Sequence, residues 1–317
     1  MRPYESPQWP RPLEPPWNPP APDWAAVPTL AATAPARRSY VLHALLFLAT
    51  LVTTIVAGMV WEGLNPLARP DLFYRGLPYA ATLMAILLCH EMGHYLTARY
   101  YGMDVTLPYF IPSPIPPVGT FGAFIRMKSP PLNRRALLYV AAAGPIAGFC
   151  VALPAMFYGY STSEVIANSQ VGFGFRLGEP LLLQMISQTV VGALPPDTTL
   201  SLNSVGMAAW FGILVTMFNL LPMGQLDGGH IVYAFVGSRA RYVTWGLVAG
   251  LLAMGLLMWE GWFVWALIGF FVSRRHPTVI DPYTTLDLRS RAVAGLALAI
   301  FILCFMPLPI QVVSFGP

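Results

Sequence analysis

The segment with the clearest chemical potential is His90-Glu91-Met92-Gly93-His94, which reads H-E-x-x-H. On a helix, residues four positions apart lie on one face about one turn apart, so both imidazoles can bind a single zinc ion. Glu91 can then act as the general base that takes a proton from an attacking water and passes it to a leaving amine. The plainer alternative is a pair of histidines satisfied by contacts within their helix. Because the surrounding stretch is apolar, where ionisable side chains usually mark function, we favour the zinc site.

A catalytic zinc site typically has three protein ligands and one open position, so a third ligand must come from elsewhere in the chain. Asp227 is the candidate, in the segment NLLPMGQLDGGH at residues 219–230, where Pro222 and the glycines interrupt an apolar helix. Asp227 has an alternative role as the cap of a new helix that starts at Gly228. His230, one helical turn further on, is a rival ligand, although we favour a role in orienting Asp227.

The composition describes the surroundings of these two segments. Of 317 residues, 56% are hydrophobic and 10% are charged, and the mean hydropathy is +0.59. A soluble domain usually has about 25% charged residues, so an ordinary cytosolic enzyme is excluded and a polytopic membrane protein is predicted. The net charge of +4 comes from scattered Lys and Arg, so nucleic acid is not a predicted partner.

The elements that must position the two segments are predicted to be membrane-spanning helices. The predicted fold class is an all-α polytopic membrane protein with six or seven transmembrane helices and a membrane-associated β-hairpin between the second and third. Small residues in the third span, AAAGPIAG, should let another helix approach closely. A Pro-rich disordered tail, 1–40, precedes a membrane domain, 41–317, which contains the H-E-x-x-H helix 77–101, the hairpin region 103–133 and the broken helix 204–236. The remaining spans are predicted at 41–60, 136–158, 242–259, 262–272 and 292–306, with a polar loop at 161–203.

The distribution of Lys and Arg predicts the orientation in the membrane. With a cytoplasmic N-terminus, thirteen of these residues fall in inside segments, whereas Arg69, Arg75 and Arg176 fall on the opposite side. Because positive residues are retained on the cytoplasmic side, the N-terminus and both motif segments are predicted to face the cytoplasm. The predicted location is the plasma membrane of a prokaryote.

The segments HEMGHYLTARYYG and NLLPMGQLDGG together resemble the site-2 protease family of intramembrane zinc metalloproteases. The resemblance extends over residues 77–291, includes GTFGAFIRMKSP as a likeness of the family's membrane-associated hairpin, and is greatest to the plant and bacterial branch without a PDZ domain. It implies one zinc ion per chain bound by His90, His94 and Asp227, with Glu91 as the base. It also implies that Asn219 holds the substrate backbone or oxyanion. The alternative for Asn219 is a hydrogen bond to the carbonyl groups that Pro222 leaves unpaired.

These observations predict an intramembrane zinc endopeptidase that cleaves a peptide bond in or near a transmembrane helix of another protein in the lipid bilayer. A strand edge around Gly122, together with Asn219, is predicted to accept the backbone of an unwound substrate. The hairpin has a second interpretation, in which it simply covers the zinc site. His276, in RRHPTVIDPY at residues 274–283, is interpreted as structural or as lying on the route by which metal enters.

Two other functions fit parts of the pattern. A transporter or channel could use the broken helix as an ion path, with the histidines and acids as metal or proton sites, but it should show inverted repeats, and neither motif occurs twice. A non-proteolytic family member could serve as a binding platform. The presence of Glu91 does not favour that alternative.

Overall fold

The computed structural model describes residues 40–114, 117–168, 173–272 and 279–314. The chain divides into two units, Met1–Tyr40 and Val41–Pro317. Apart from Tyr40, the tail predicted at 1–40 lies outside the described residues, and so does His276. The second unit contains the candidate site.

Nine α-helices make up most of the described part of the chain. Two short 3-10 helices, Pro70–Gly76 and Gly237–Arg239, directly precede the second and seventh of them. The protein is therefore predominantly helical, as predicted. The helices are α1 (Tyr40–Trp61), α2 (Leu77–Tyr100), α3 (Arg134–Thr162), α4 (Leu181–Val190), α5 (Ser204–Asn219), α6 (Asp227–Val236), α7 (Ala240–Leu257), α8 (Gly261–Val272) and α9 (Leu288–Cys304).

Four helical stretches among the described residues are long and apolar enough to cross a membrane. They are Tyr40–Trp61, Pro70–Tyr100, Arg134–Thr162 and Asp227–Leu257. Crossing about 30 Å of hydrocarbon takes roughly 20 helical residues, and each of the four stretches has at least 22. The chain is an integral membrane protein.

Short strands add three small antiparallel sheets to the helices, so the expectation of an all-α fold with one hairpin holds only in part. Each sheet has two strands among the described residues, in the pairs β1 with β2, β3 with β5 and β4 with β6. The strands are β1 (Tyr109–Pro112), β2 (Thr120–Phe124), β3 (Glu164–Ala167), β4 (Phe173–Leu177), β5 (Thr198–Ser201) and β6 (Ile310–Ser314).

Residues 161–203 differ most from the sequence-based expectation of a polar loop, because they contain β3, β4, α4 and β5. Helix α4 buries Leu182, Leu183 and Ile186 on one face, as an amphipathic helix does. The strands have four or five residues, and their partners lie far away in the chain. Such short strands leave little local pattern, so their pairing depends on tertiary packing.

Helices α2, α3 and α5 form the centre of the bundle and meet through small residues. A Cβ atom on Gly93 of α2 would lie 2.5 Å from the carbonyl oxygen of Ala143 in α3. Further along α3, a Cβ atom on Gly206 of α5 would lie 3.2 Å from Cα of Gly159. The backbones approach closely at both places, and the first of them, at Ala143, lies in the AAAGPIAG segment for which a close helix contact was predicted.

The hairpin of β1 and β2 lies beside α1. The ring of Tyr109 stacks on His43 of α1 with centroids 4.2 Å apart, and Phe110 packs edge-on against Phe47 at 5.1 Å. One helical turn separates the two residues of α1, so the helix covers successive positions of β1.

The tip of the hairpin is fastened to the far ends of two helices. Trp61, the last residue of α1, donates its indole N–H to the Pro117 carbonyl oxygen at 2.8 Å, and the Tyr79 hydroxyl lies 3.1 Å from the Val118 carbonyl oxygen. Gly119 has a φ of 79° and lies so close to α1 that a Cβ atom would come within 2.5 Å of its backbone. The hairpin therefore extends alongside α1 and α2 rather than projecting from the bundle.

Candidate metal centre

The H-E-x-x-H segment lies in the second half of α2, and its three chemical side chains are buried. The relative exposure is 4% for His90, 5% for Glu91 and 8% for His94. Because α2 is continuous from Leu77 to Tyr100, both imidazoles lie on one face, with ring centroids 4.9 Å apart. Buried ionisable side chains require partners, and α3 and α6 supply those of the two histidines.

A tight turn between α5 and α6 brings Asp227 to the two histidines. Helix α5 ends at Asn219, and Gly224 in the turn has a φ of 51°, a left-handed conformation that glycine adopts readily. Cβ atoms on Gly228 and Gly229 would overlap backbone carbonyl groups of the turn. The two glycines therefore allow the first turn of α6 to pack directly against the chain that precedes it.

Three donor atoms converge on one point. The Nε2 atoms of His90 and His94 are 3.1 Å apart, and Oδ2 of Asp227 lies 3.4 Å from the first and 3.3 Å from the second. Asp227 is itself the first residue of α6, whose N-cap is Leu226 without a side-chain capping bond. Asp227 therefore does not occupy the N-cap position that its alternative role requires.

The backbone of α3 holds His94 in one orientation. Nδ1 of His94 lies 2.7 Å from the carbonyl oxygen of Val140, which can only accept, so Nδ1 carries the proton and donates it. In a neutral imidazole, Nε2 then keeps its lone pair, and this lone pair faces His90 and Asp227. Metal-binding histidines usually have such a partner on the other ring nitrogen.

Glycines on α3 also confine the two imidazoles. A Cβ atom on Gly144 would overlap the ring of His94, and a Cβ atom on Gly148 would lie 3.1 Å from Cβ of His90. Helix α3 can lie this close only because both positions lack side chains. The orientation of the rings is therefore set by packing as well as by hydrogen bonding.

The convergent atoms fit a zinc ion. Two imidazole nitrogens and one carboxylate oxygen are a known ligand set of catalytic zinc, at about 2.0–2.2 Å from the metal. Donors at that distance from a tetrahedral centre lie about 3.4 Å from one another. The observed separations are 3.1–3.4 Å. Among the described residues, His90, His94 and Asp227 are the group of side chains able to hold one metal ion.

A cavity of about 200 Å³ adjoins the three donor atoms. Glu91, Asn219 and His230 line it, and the end of β2 forms another part of its wall. The side-chain amide of Asn219 lies 3.3 Å from Nε2 of His90 and can donate to it. The Glu91 carboxylate, the Asn219 amide and the end of β2 therefore all border the same cavity as the metal-binding atoms.

His230 and Gly122 differ in their position relative to this cavity, because His230 lines it and Gly122 does not. His230 lines the cavity, and its buried Nδ1 has no hydrogen-bond partner in the described part of the chain. Its suggested role in orienting Asp227 stays a prediction. Gly122 lies just before the residues of β2 that line the cavity and has a φ of 99°, and its N–H donates to the Thr120 hydroxyl at 3.0 Å. Its suggested contact with substrate also stays a prediction.

Two features of the site were missed by the sequence-based interpretation. The first is the Val140 carbonyl group, for which no signal exists, because every residue type supplies a backbone carbonyl. The second is the contact between Gly144 and His94. The small residues of AAAGPIAG indicated a close helix contact, but they did not indicate which helix or which side chain would be touched.

Two histidines, an aspartate and a neighbouring glutamate, buried within a membrane helix bundle, have the composition of a metallopeptidase centre. The chain belongs to peptidase family M50, whose sequence model matches residues 78–257. The match includes both motif segments and the hairpin between them. The resemblance to site-2 proteases is therefore confirmed.

Curated relatives point the same way. A protein of Oryza sativa subsp. indica named probable zinc metalloprotease EGY2, chloroplastic, is 32% identical over 246 residues, which are 75% of this chain and 44% of that protein. Proteins of Arabidopsis thaliana named probable zinc metalloprotease EGY2 and EGY1, chloroplastic, are each 31% identical, over 84% of this chain and 48% and 53% of their own lengths. The chain thus spans about half the length of these relatives. No solved structure matches it.

Proposed function

We propose that this protein is an intramembrane zinc endopeptidase, which hydrolyses a peptide bond within or beside a transmembrane helix of another protein. The observation that carries the proposal is the convergence of His90, His94 and Asp227 beside the buried Glu91, in a chain with several membrane-length helices. The names of the relatives, each of which is called a probable zinc metalloprotease, support it. The transporter and binding-platform alternatives have no comparable support.

In this proposal His90, His94 and Asp227 hold one zinc ion. A zinc ion supplies Lewis-acid polarisation of the scissile carbonyl group and makes water a stronger nucleophile at neutral pH. The ring of His94 keeps its orientation because the Val140 carbonyl oxygen accepts a hydrogen bond from its Nδ1–H. The side-chain amide of Asn219 lies 3.3 Å from Nε2 of His90, beside the metal-binding atoms, where it is free to donate to a substrate once zinc takes the Nε2 lone pair.

Glu91 is the general base of the proposed reaction. Its carboxylate lines the same cavity as the metal-binding atoms and takes no part in the group of three donors. It accepts a proton from the attacking water and delivers that proton to the amine that leaves. Burial within the helix bundle excludes bulk water from this proton transfer.

The substrate must lose helical structure before it can react. In a transmembrane helix every carbonyl group accepts a hydrogen bond from the residue four positions later, and lipid offers no replacement partner. We propose that the end of β2 receives the unwound backbone as an added strand and that Asn219 donates a hydrogen bond to the reacting carbonyl oxygen. Both border the cavity that contains Glu91, which supports these roles.

We propose seven membrane crossings, in which α5 and α6 together form one interrupted crossing and α8 is a short sixth one. The hairpin of β1 and β2 is then a membrane-associated element on the side of α1. The excess of Lys and Arg in alternate segments supports a cytoplasmic N-terminus. The proposed location is the plasma membrane of a prokaryote, with a plastid membrane, as the names of the relatives indicate for those proteins, as the alternative.

Cysteine labelling tests the orientation. Single cysteines are placed at Ala193 and Lys128, both exposed and on opposite sides in the proposed topology, in a chain without its three native cysteines. In intact bacterial cells, a membrane-impermeant maleimide should label the Ala193→Cys variant and label the Lys128→Cys variant only after permeabilisation. Both should react in detergent, which is the control for accessibility. The reverse pattern in intact cells would overturn the cytoplasmic N-terminus.

Zinc content tests the proposed ligands. Detergent-purified protein should contain one zinc per chain, and His90→Ala, His94→Ala or Asp227→Ala should each lower occupancy to a small fraction, because a site of two ligands binds far more weakly than one of three. Elemental analysis after dialysis measures the content. Asn219→Ala is the matched control, since Asn219 lies beside His90 but is not one of the three proposed ligands, and the variant should keep its zinc. Full zinc in Asp227→Ala would move the third ligand to His230 or elsewhere.

A further inference from the structure

A second and larger cavity lies within the unit Val41–Pro317, away from the metal centre. Its volume is about 840 Å³, and none of the metal-centre residues line it. Trp61 at the end of α1, Met207 near the start of α5 and Met306 just after α9 all border it. Cavities of about 300–1,000 Å³ are the size that binds ligands. The family comparison and the metal centre assign no role to it.

Two strands border this cavity along their edges rather than through their side chains alone. Six consecutive residues, 174–179, line the cavity from β4 and the chain just after it. Four consecutive residues, 199–202, line it from β5 and the chain just after it. Successive side chains of a strand point to opposite faces, so a face-on wall would contribute alternate residues. An unbroken run of lining residues indicates that the backbone itself faces the cavity.

The hydrogen-bond register identifies the backbone groups at the edge of β4. The Gly178 N–H donates to the Pro309 carbonyl at 2.7 Å, and the same register pairs Phe175 with Val312 and Leu177 with Ile310. Hydrogen-bonded and non-bonded pairs alternate in an antiparallel ladder, so the N–H and C=O groups of Phe175 and Leu177 point away from β6.

The same reasoning applies to β5. The Asn168 N–H donates to the Asp197 carbonyl at 2.8 Å, and Val165 pairs with Leu200 three positions further along the ladder. Leu200 therefore belongs to a non-bonded pair, and its N–H and C=O groups point away from β3. Each of these sheets has only two strands in the described part of the chain. An unpaired edge is a ready template for another strand.

We propose that this cavity binds an extended peptide segment, which adds as a strand and pairs with the edges of β4 and β5. The segment is the part of a membrane-protein substrate that adjoins its transmembrane helix on this side of the membrane, so the assignment rests on the proposed function. Main-chain pairing of this kind accepts many sequences, while the walls select among side chains.

The walls specify the side chains of the segment. The indole N–H of Trp61 is bound to the Pro117 carbonyl and that of Trp210 to the Gly178 carbonyl, so both residues offer the cavity apolar ring surface. Of the two charged wall residues, Arg176 has a partner within the chain, whereas none of the ion pairs between described residues includes Glu179. The segment therefore carries apolar side chains on one face and one Lys or Arg that complements Glu179.

The position of the cavity relates it to the metal centre. Helix α5 contributes Met207 to the cavity wall and ends with Asn219 beside His90. Twelve helical residues separate the two positions, which is about 18 Å along the helix axis. A substrate held in the cavity by its flanking segment would bring a peptide bond about twelve helical residues away to the level of Glu91. The cavity would thus select which bond is cut.

Peptide binding to the detergent-purified full chain tests the proposal. The probe is a fluorescein-labelled ten-residue peptide of alternating Val and Thr with one Lys, and its control is the same peptide with alternate amides N-methylated, which blocks strand pairing. We expect saturable binding of the probe and at least tenfold weaker binding of its control. Hydrogen exchange should show new protection of the amides of Phe175, Leu177 and Leu200. Equal binding of both peptides, or no protection at these amides, would overturn the proposal.

Two proline variants locate the binding edge. Phe175→Pro removes an N–H that faces the cavity. Val312→Pro removes its counterpart in the same non-bonded pair, on the outer edge of β6, where Val312 itself does not line the cavity although Gln311 and Val313 do. Both side chains are exposed, at 59% and 63%, and proline is tolerated at such edge positions. The first should weaken probe binding about tenfold and the second less than about twofold, as expected for loss of one or two hydrogen bonds. Unchanged zinc content and melting temperature verify folding, and equal effects of the two variants would contradict the edge assignment.

The outcome is separable from that of the proposed function, because the binding assay requires no hydrolysis. A chain that binds the probe but cleaves no membrane substrate keeps the peptide site and loses the protease assignment. A chain that cleaves substrates but does not bind the probe keeps the protease assignment and loses this inference. Attaching the probe sequence next to the membrane helix of a cleaved substrate should increase its cleavage rate, and Phe175→Pro should remove that increase.

Discussion

Replacing Glu91 by Gln is expected to leave one zinc ion per chain and to lower peptide hydrolysis by about 100- to 10,000-fold, the usual contribution of general acid–base catalysis. The amide has the size of the carboxylate and keeps its hydrogen-bonding reach, but it cannot accept a proton. Glu91 is not one of the three convergent donors, so the substitution removes no ligand. In this variant the zinc content should therefore stay unchanged while the turnover rate falls.

The experiment compares zinc content by elemental analysis with cleavage of a transmembrane substrate in detergent or proteoliposomes. Glu62→Gln is the matched control, because it removes the same charge from a carboxylate at the other end of the bundle, where Ser204 donates a hydrogen bond to it. That variant should retain normal turnover. Cleavage near the normal rate in Glu91→Gln would exclude Glu91 as the base, and loss of zinc would show that it acts as a ligand.

The helical part of the centre could be predicted because its spacing is local. H-E-x-x-H places two imidazoles on one face of any regular helix, and α2 is regular over its whole length. Asp227 needed a further argument, because it lies more than a hundred residues away. An acid after a broken apolar helix is rare enough to be recognised, although its 3.3 Å distance from His94 depends on how α6 packs.

The parts of the fold that were not predicted depend on contacts between distant residues. Strand β4 pairs with β6, which is separated from it by more than a hundred residues, and β3 pairs with β5 across α4. Each strand is too short to show an alternation of apolar and polar residues. Its position therefore depends on the distant strand with which it pairs. The peptide edges at Phe175 and Leu200 could not be inferred before the ladders were known.

Gly122 was selected from the sequence as a substrate contact, but the structure requires a glycine there for the conformation of the hairpin backbone. It has a φ of 99°, which residues other than glycine rarely adopt, and it lies near the register shift between Ile111 and Pro112. The backbone of the hairpin therefore explains this glycine without any substrate. Ala123 and Phe124, which line the cavity, carry no comparable signal in the sequence.

A substitution on the glycine face of α3 is expected to have a second large effect on zinc binding, although the residue concerned, Gly144, is not a proposed metal ligand. Gly144→Ala is expected to weaken zinc binding by about 10- to 100-fold or more, the range found when the partners that orient a metal ligand are disturbed. The added Cβ would overlap the His94 ring. Withdrawal of α3 would avoid the overlap only by separating the close packing of Gly93 on the Ala143 carbonyl group and of Gly148 on His90. The ring must turn, and it then loses both its hydrogen bond to Val140 and its aim at the other two donors.

A graded series of glycine variants tests this account of how packing controls the metal. Gly148→Ala should have a smaller effect than Gly144→Ala, since its Cβ would lie at a tight but adjustable 3.1 Å from Cβ of His90. Gly250→Ala in α7 is the matched control, because no atom lies within 4 Å of the added Cβ, and alanine in a helix interior is stabilising by up to about 1 kcal/mol. Zinc retention against a series of chelator concentrations gives the affinity, and the melting temperature of the metal-free protein reports folding. If Gly144→Ala retains zinc as firmly as Gly250→Ala, the His94 ring is free to adapt, and its orientation is not set by α3.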